Sequence, residues 1–184
     1  PVENPLTDAL AETLLRNVIE QGRTAMADHT DYTAMSELMW AGSLSHNGLT
    51  GLGGQGDWSV HQLGHEISAR FDLAHGASLA AVWGSWARYV YQEAPARFAR
   101  LAQMVLGLPS FGDDKKTALV GIAAMEDFFR SIGMPTSIGE LGLTLTDDQI
   151  ETLSETCSFH QTRTIGAIKK LGKEDIAAIY RAAR

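Results

Sequence analysis

The spacing of apolar residues is the feature that most restricts what this chain can fold into. Along nearly the whole sequence, apolar side chains recur three or four residues apart. The alternation of apolar and polar residues that is typical of strands is almost missing. The pattern predicts an all-α protein, a single helical-bundle domain over residues 1–184.

Capping residues, glycines and prolines divide the pattern into about eight helices. Asp31 and Asp57 have the residue type that caps a helix, and Thr146 and Gln149 have the spacing of a capping box. The predicted helices cover residues 5–22, 31–47, 57–71, 75–90, 95–107 and 113–133, a seventh that begins at Thr146, and 173–184. Gly22 is expected to end the first helix, and residues 135–144 are expected to form a loop.

The same spacing predicts which side chains are buried. The chain has 184 residues, 45% of them hydrophobic, which is enough for a substantial core. The expected buried residues of the first four helices are Leu6, Leu10, Leu14 and Val18; Met35, Leu38, Met39 and Gly42, with Leu49; Val60, Leu63, Ile67 and Phe71; and Leu79, Val82, Trp83, Trp86 and Val90.

Composition and charge exclude several classes of partner. A net charge of −7 and a pI of about 5.3 disfavour binding to nucleic acid or to an anionic membrane surface. No apolar run approaches the roughly 20 residues that a membrane-spanning helix needs. The single cysteine, Cys157, excludes an internal disulfide and predicts a reducing, cytoplasmic location. The chain begins at Pro1 without a methionine or a signal-peptide pattern, so a fragment or a processed product is expected.

A glycine-rich stretch, GLGGQG at residues 51–56, matches the dinucleotide-binding pattern G-x-G-x-x-G. That pattern binds a pyrophosphate only when a strand precedes it and a helix follows within a βαβ unit. Here a helix is predicted before it, and no second strand follows. Asp72 lies at the distance of a ribose-binding acid but at a helix end. We therefore interpret the stretch as a tight connection between helices.

Three histidines form a second candidate site. His61, His65 and His75 have the spacing H-x3-H-x9-H, so the first two share a helical face and the third begins the next helix. Neutral imidazole is a common ligand of zinc and ferrous iron. A single buried histidine is more often a core residue, but three at ligand spacing favour a metal site. The remaining ligands stay open: Asp57 is expected to face backbone amides, and Glu66 lies off the shared face.

At these histidines the sequence resembles a known family. The run GDWSVHQLGHEISARFDLAHGASLA is similar to the C-terminal signature of the iron-containing (group III) alcohol dehydrogenases, in the butanol dehydrogenase branch. Further similar stretches are PVENPLTDALAE, MWAGSLSHNGL, PARFARLAQMVLG and FFRSIGMPTSIGELGL. Together they cover essentially the whole chain.

The resemblance implies one half of a two-domain enzyme. The chain would be the all-helical, dehydroquinate synthase-like C-terminal domain, and an N-terminal α/β domain would bind NAD(H) or NADP(H). Family members hold Fe²⁺ or Zn²⁺ with an Asp and a His from a D-x3-H segment and with two histidines that match His61 and His75. His65 matches a catalytic or proton-relay position. Implied partners are a small alcohol or aldehyde, the N-terminal domain and a second copy in a homodimer.

The sequence departs from the family pattern in two ways. The D-x3-H segment would precede Pro1 and is not in this chain, so we expect the chain alone to be inactive and to bind metal poorly. Gly84 stands where relatives usually have proline, which is expected to alter the fourth helix locally.

Two other functions remain alternatives from the sequence. A zinc metallohydrolase would use His61 and His65 as ligands and Glu66 to activate water, but the usual order H-E-x-x-H places the glutamate where Gln62 stands. A non-catalytic helical scaffold would use the histidines only for stability or dimer contacts.

Overall fold

The computed structural model describes residues 4–54 and 56–184 and confirms the all-α prediction. Within these ranges there are eight α-helices and no strand; an isolated antiparallel bridge joins Ile165 and Leu171. The beginning of the PVENPLTDALAE match, residues 1–3, and Gln55 of the glycine-rich stretch lie outside the described residues.

Most predicted helix boundaries agree with the structure to within a few residues. The helices are α1 (Pro5–Ala27), α2 (Tyr32–His46), α3 (Ser59–Phe71), α4 (His75–Val90), α5 (Pro95–Arg100), α6 (Asp114–Ser131), α7 (Asp147–Cys157) and α8 (Lys173–Ala183). Short 3₁₀ turns lie at Leu49–Gly51, Tyr91–Glu93 and Gly139–Leu141, and a π-helical turn at Leu101–Val105 follows α5.

The predicted end of the first helix at Gly22 was wrong. The helix continues to Ala27, because Gly22 keeps helical geometry and does not adopt the positive φ with which a glycine ends a helix. An added Cβ at Gly22 would lie 3.8 Å from Cζ of Phe128, an ordinary packing distance. Helix packing therefore outweighs the low helix propensity of one glycine.

The predicted caps are largely confirmed. The Asp31 carboxylate accepts a hydrogen bond from the amide of Ala34, and Thr146 and Gln149 form the capping box. The N-cap of α3 is Trp58 rather than Asp57. Asp57 lies one residue earlier and accepts a hydrogen bond from the amide of Ser59, so it still binds the start of that helix.

The described chain divides into two compact units. One comprises the described part of Pro1–Gly56 together with Ala96–Ile132, and the other comprises Asp57–Pro95 together with Gly133–Arg184. The sequence predicts a single domain; that interpretation stays a prediction.

In the first unit α1 packs against α2, and the predicted buried faces of both helices were partly wrong. Several residues predicted to be buried are exposed: Leu6, Leu10, Met35, Met39 and Gly42. Among these five, Met39 is the most exposed, at 75%. The buried residues of α2 are Ala34 and Ala41. They lie seven residues apart, so the helix buries a narrow stripe of small residues and leaves both of its methionines exposed.

In the second unit α4 packs against α3 and α8, and α7 packs against α3 and α8. Here most of the predicted core is confirmed: Leu63, Ile67, Val82, Trp86 and Val90 are all buried. Within residues 4–54 and 56–184, every helix is too short or too polar to span a lipid bilayer.

Candidate metal and substrate site

The three predicted histidines come together on α3 and α4. The His61 and His75 ring centroids are 5.2 Å apart, those of His65 and His75 are 4.6 Å apart, and those of His61 and His65 are 6.0 Å apart. His61 is half-buried, whereas His65 and His75 are exposed. The structure therefore places all three imidazoles in one cluster, which we call the histidine cluster.

A close approach of two helices makes this arrangement possible. A Cβ added at Gly64 would lie 2.6 Å from Cδ2 of Leu79 and 3.2 Å from the Leu79 backbone nitrogen. Only glycine fits there without a shift of the neighbouring helix. Because Gly64 lies between His61 and His65, this contact sets the distance of both histidines from α4.

The chemistry of the cluster fits part of a metal site. Imidazole nitrogens suit Zn²⁺ and Fe²⁺, and His61 and His75 face each other from consecutive helices. Among the described residues, however, no group of three or more His, Cys, Asp and Glu side chains is arranged to hold a metal ion. The described part of the chain thus has imidazoles that could serve as ligands but not a complete ligand set.

The start of α3 is fixed by Asp57. Its Oδ1 accepts hydrogen bonds from the Ser59 amide and hydroxyl, and its Oδ2 accepts them from the amides of Ala167 and Ile168, at 2.8 and 2.9 Å. Burial alone would raise the pKa of this carboxyl, but the hydrogen bonds, led by that from the Ser59 hydroxyl, hold the pKa below its usual value. The expectation that Asp57 binds backbone amides is confirmed. Its hydrogen bonds to the amides of Ala167 and Ile168 were not predicted from the sequence.

The side chain of Trp58 lies beside the cluster. Its ring centroid is 5.1 Å from that of His61, and the two planes are nearly perpendicular at 77°. Trp58 is 60% exposed, whereas Trp86 is buried and Trp83 is half-buried. Of these three tryptophans, Trp58 is therefore the one that does not belong to the core.

Glu66, the general base of the hydrolase alternative, has a structural partner instead. The Thr156 hydroxyl donates a hydrogen bond of 2.6 Å to its carboxylate. Glu66 also affects the pKa of Cys157. Burial is the largest cause and the negative charge of Glu66 the second, and the pKa of the thiol is raised to about 12. Cys157 is therefore protonated at neutral pH and is not an activated nucleophile.

The histidines could be identified from the sequence, but the residues that hold them in place could not. Ala167, Ile168 and Thr156 lie 90 to 111 positions from their partners on α3 or next to it. No short-range pattern connects positions so far apart. The ring contact of Trp58 had a weak signal only, namely an aromatic residue three positions before a histidine.

The described residues of the glycine-rich stretch lie between α2 and α3 and outside both helices, in agreement with the interpretation from the sequence. It begins in a 3₁₀ turn directly after α2, and Gly53 has a φ of +73°. A Cβ at Gly53 would clash with Nδ2 of Asn4, whose side chain donates a hydrogen bond to the carbonyl of Leu52. Gly53 packs closely against the beginning of α1, which explains why a residue without a side chain is needed at this position.

Known proteins with similar sequences are alcohol dehydrogenases and aldehyde reductases. The NADH-dependent butanol dehydrogenase A of Clostridium acetobutylicum is 33% identical over 175 residues, which is 95% of this chain and 44% of that protein. The NADPH-dependent aldehyde reductase YqhD of Escherichia coli is 30% identical over 184 residues, which is all of this chain and 47% of that protein. The chain thus spans less than half the length of these relatives.

Solved structures agree with this similarity. A crystal structure of NADH-dependent butanol dehydrogenase A from Thermotoga maritima matches 98% of this chain with a TM-score of 0.90 at 28% identity, and the match covers 46% of that protein. The family model described as "Fe-containing alcohol dehydrogenase family, C-terminal" matches residues 2–184. The chain therefore belongs to the iron-containing alcohol dehydrogenase family and corresponds to its C-terminal region.

Proposed function

We propose that this chain is the C-terminal, metal-binding domain of an NAD(P)H-dependent alcohol dehydrogenase or aldehyde reductase that interconverts small primary alcohols and aldehydes. The observation that carries the proposal is the convergence of His61 and His75, whose ring centroids lie 5.2 Å apart within a chain of this family. Two imidazoles from consecutive helices supply half of a four-ligand site.

His61 and His75 are proposed to hold Fe²⁺ or Zn²⁺, with the other two ligands outside this chain. When bound, such an ion supplies Lewis acidity, which polarises a carbonyl or lowers the pKa of an alcohol. His61 is half-buried at the inner part of the cluster, which would limit the access of water to one side of the ion. Its position on α3 is held by the contact of Gly64 with Leu79.

His65 is proposed to be the catalytic residue that moves a proton between the substrate oxygen and solvent. It lies one turn after His61 and 4.6 Å from His75 by ring centroids, and its side chain is exposed. A histidine that touches both the site and solvent can accept a proton at one nitrogen and release it from the other.

The remaining parts of the proposal concern partners and location. NAD(H) or NADP(H) would be bound by an N-terminal domain, the full protein would be a homodimer, and its location would be the reducing cytoplasm. The last point is supported by a single, buried cysteine, Cys157. Because the described residues supply no complete ligand set, the chain alone would be inactive and would bind metal poorly.

Two experiments test the proposal. Calorimetry of the 184-residue chain with zinc should show only weak binding, and a tight one-to-one site would contradict an incomplete ligand set. A protein that joins this chain to a family N-terminal domain should oxidise butanol with NAD(P)⁺ and should lose that activity with a chelator.

Two substitutions make the second experiment specific. His61→Ala should abolish alcohol oxidation, and His29→Ala, an exposed histidine between α1 and α2, should leave it unchanged. Cleavage of an ester or peptide without nicotinamide would support the hydrolase alternative instead. If neither activity appears, the scaffold alternative gains support.

A further inference from the structure

The backbone around Trp58 is held firmly although its side chain is not buried. Asp57 is bound through both carboxylate oxygens, and Ser59 is fully buried. A Cβ at Gly166 would lie 2.7 Å from Oγ of Ser59, so the loop 165–171 packs directly against this residue. Trp58, between these two anchored residues, has little freedom to move its backbone.

The exposure of Trp58 requires an explanation other than core packing. An aromatic side chain that is 60% exposed contributes little to the burial of apolar surface. Its ring instead meets His61 at 5.1 Å and 77°, the edge-to-face geometry that aromatic rings prefer. His61 in turn meets His75 at 5.2 Å.

We propose that Trp58 is a positioning residue: its indole holds the His61 imidazole in the orientation that converges with His75. The inference rests on the proposed function, because orientation matters only if His61 and His75 bind a common ion. Because Asp57 and Ser59 are anchored, the backbone of Trp58 is fixed and its indole is held next to His61. The indole therefore restricts rotation of the His61 ring about its χ angles.

A restrained ligand binds an ion more tightly than a freely rotating one, since less conformational freedom is lost on binding. An edge-to-face ring pair has an energy that corresponds to about a threefold to tenfold change in affinity. Trp58→Ala should therefore weaken zinc binding by this factor. Trp58→Phe keeps an aromatic edge beside His61 and should restore most of the affinity.

The test uses the 184-residue chain and nuclear magnetic resonance of the histidine rings. In the metal-free protein, Overhauser contacts between the rings of His61 and His75 should be present in the wild type and in Trp58→Phe, and lost in Trp58→Ala. Zinc added in steps should shift both rings, and the affinity is obtained from those shifts. Trp40→Ala is the matched control, because Trp40 is 61% exposed and lies on α2.

The outcomes separate this inference from the proposed function. Equal zinc affinity and unchanged His61–His75 contacts in Trp58→Ala would overturn the positioning role. If zinc also shifts neither ring in a protein that joins this chain to a family N-terminal domain, the metal part of the proposed function is wrong. The ring contacts in the metal-free chain still decide whether Trp58 orients His61. Equal thermal midpoints of Trp58→Ala and the wild type would show that a loss of affinity is not due to unfolding.

Discussion

The distance between α3 and α4 at Gly64 is open to a direct test by substitution. Gly64→Ala places a Cβ 2.6 Å from Cδ2 of Leu79, and 3.2 and 3.3 Å from the Leu79 nitrogen and Cα. The Leu79 side chain can rotate away, but its backbone can move only if the two helices separate. We expect the substitution to push α3 away from α4.

The magnitude follows from two opposing effects. Overpacking of this kind typically costs about 1–3 kcal/mol. Replacing a helical glycine by alanine gains up to about 1 kcal/mol through helix propensity. The net expectation is a loss of up to about 2 kcal/mol. For a protein of this size a difference of 1 kcal/mol moves the thermal midpoint by about 2–4 °C, so the midpoint should fall by up to about 8 °C.

Gly42→Ala is the control, since Gly42 lies inside α2 and an added Cβ would meet nothing within 4 Å. Gly42→Ala should raise the thermal midpoint, because alanine has a higher helix propensity than glycine. Thermal unfolding followed by circular dichroism measures both variants. If Gly64→Ala is as stable as Gly42→Ala, the close approach does not set the helix spacing, and our account of how α3 positions the histidine cluster is wrong.

Three further predictions concern residues that hold the second unit together. Asp57→Asn should lower the free energy of unfolding by about 1–3 kcal/mol at pH 7, because an amide cannot accept all four hydrogen bonds. The pKa of Asp57 is lowered on folding, so the advantage of the wild type should be complete above about pH 4 and disappear as the pH falls through the folded value. Tyr180→Phe should cost about 1 kcal/mol in urea unfolding, because the buried hydroxyl donates a 2.9 Å hydrogen bond to the carbonyl of Leu63. Thr146→Ala should cost about 1 kcal/mol through loss of the capping box of α7.

Each of these predictions has a result that would contradict it. For Asp57, a stability difference that does not change between pH 3 and pH 7 would show that ionisation is not involved. For Tyr180, the comparison is Tyr32→Phe, at a position that is 84% exposed. Equal losses in the free energy of unfolding would show that the buried hydroxyl of Tyr180 does not stabilise the fold. For Thr146, an unchanged midpoint would mean that α7 is held by packing alone.

The fold class and the histidines could be predicted from the sequence because both depend on local spacing. Helical periodicity sets the helices, and positions four apart on one helix necessarily share a face. The buried face of α2 could not be predicted in this way. Met39 is more hydrophobic than Ala34, but Ala34 is buried because small side chains fit the contact of α2 with α1.

The supports of the histidine cluster could not be predicted for a different reason. The bonds of Asp57 to Ala167 and of Thr156 to Glu66 depend on how distant helices and loops meet, and that meeting is a property of the tertiary fold. The π-helical turn at Leu101–Val105 likewise has no signal in the spacing, which is continuous with the α-helix before it.

The long-range bonds of α3 have a consequence for the order of folding. Hydrogen bonds at Asp57, Leu63 and Glu66 join this region to partners that lie 110, 117 and 90 positions later in the chain. Contacts that close such long loops form late and slowly. During synthesis the imidazoles of α3 would therefore stay loosely arranged until α8 has left the ribosome. Loss of α8, Lys173–Ala183, would therefore damage a site more than a hundred positions upstream.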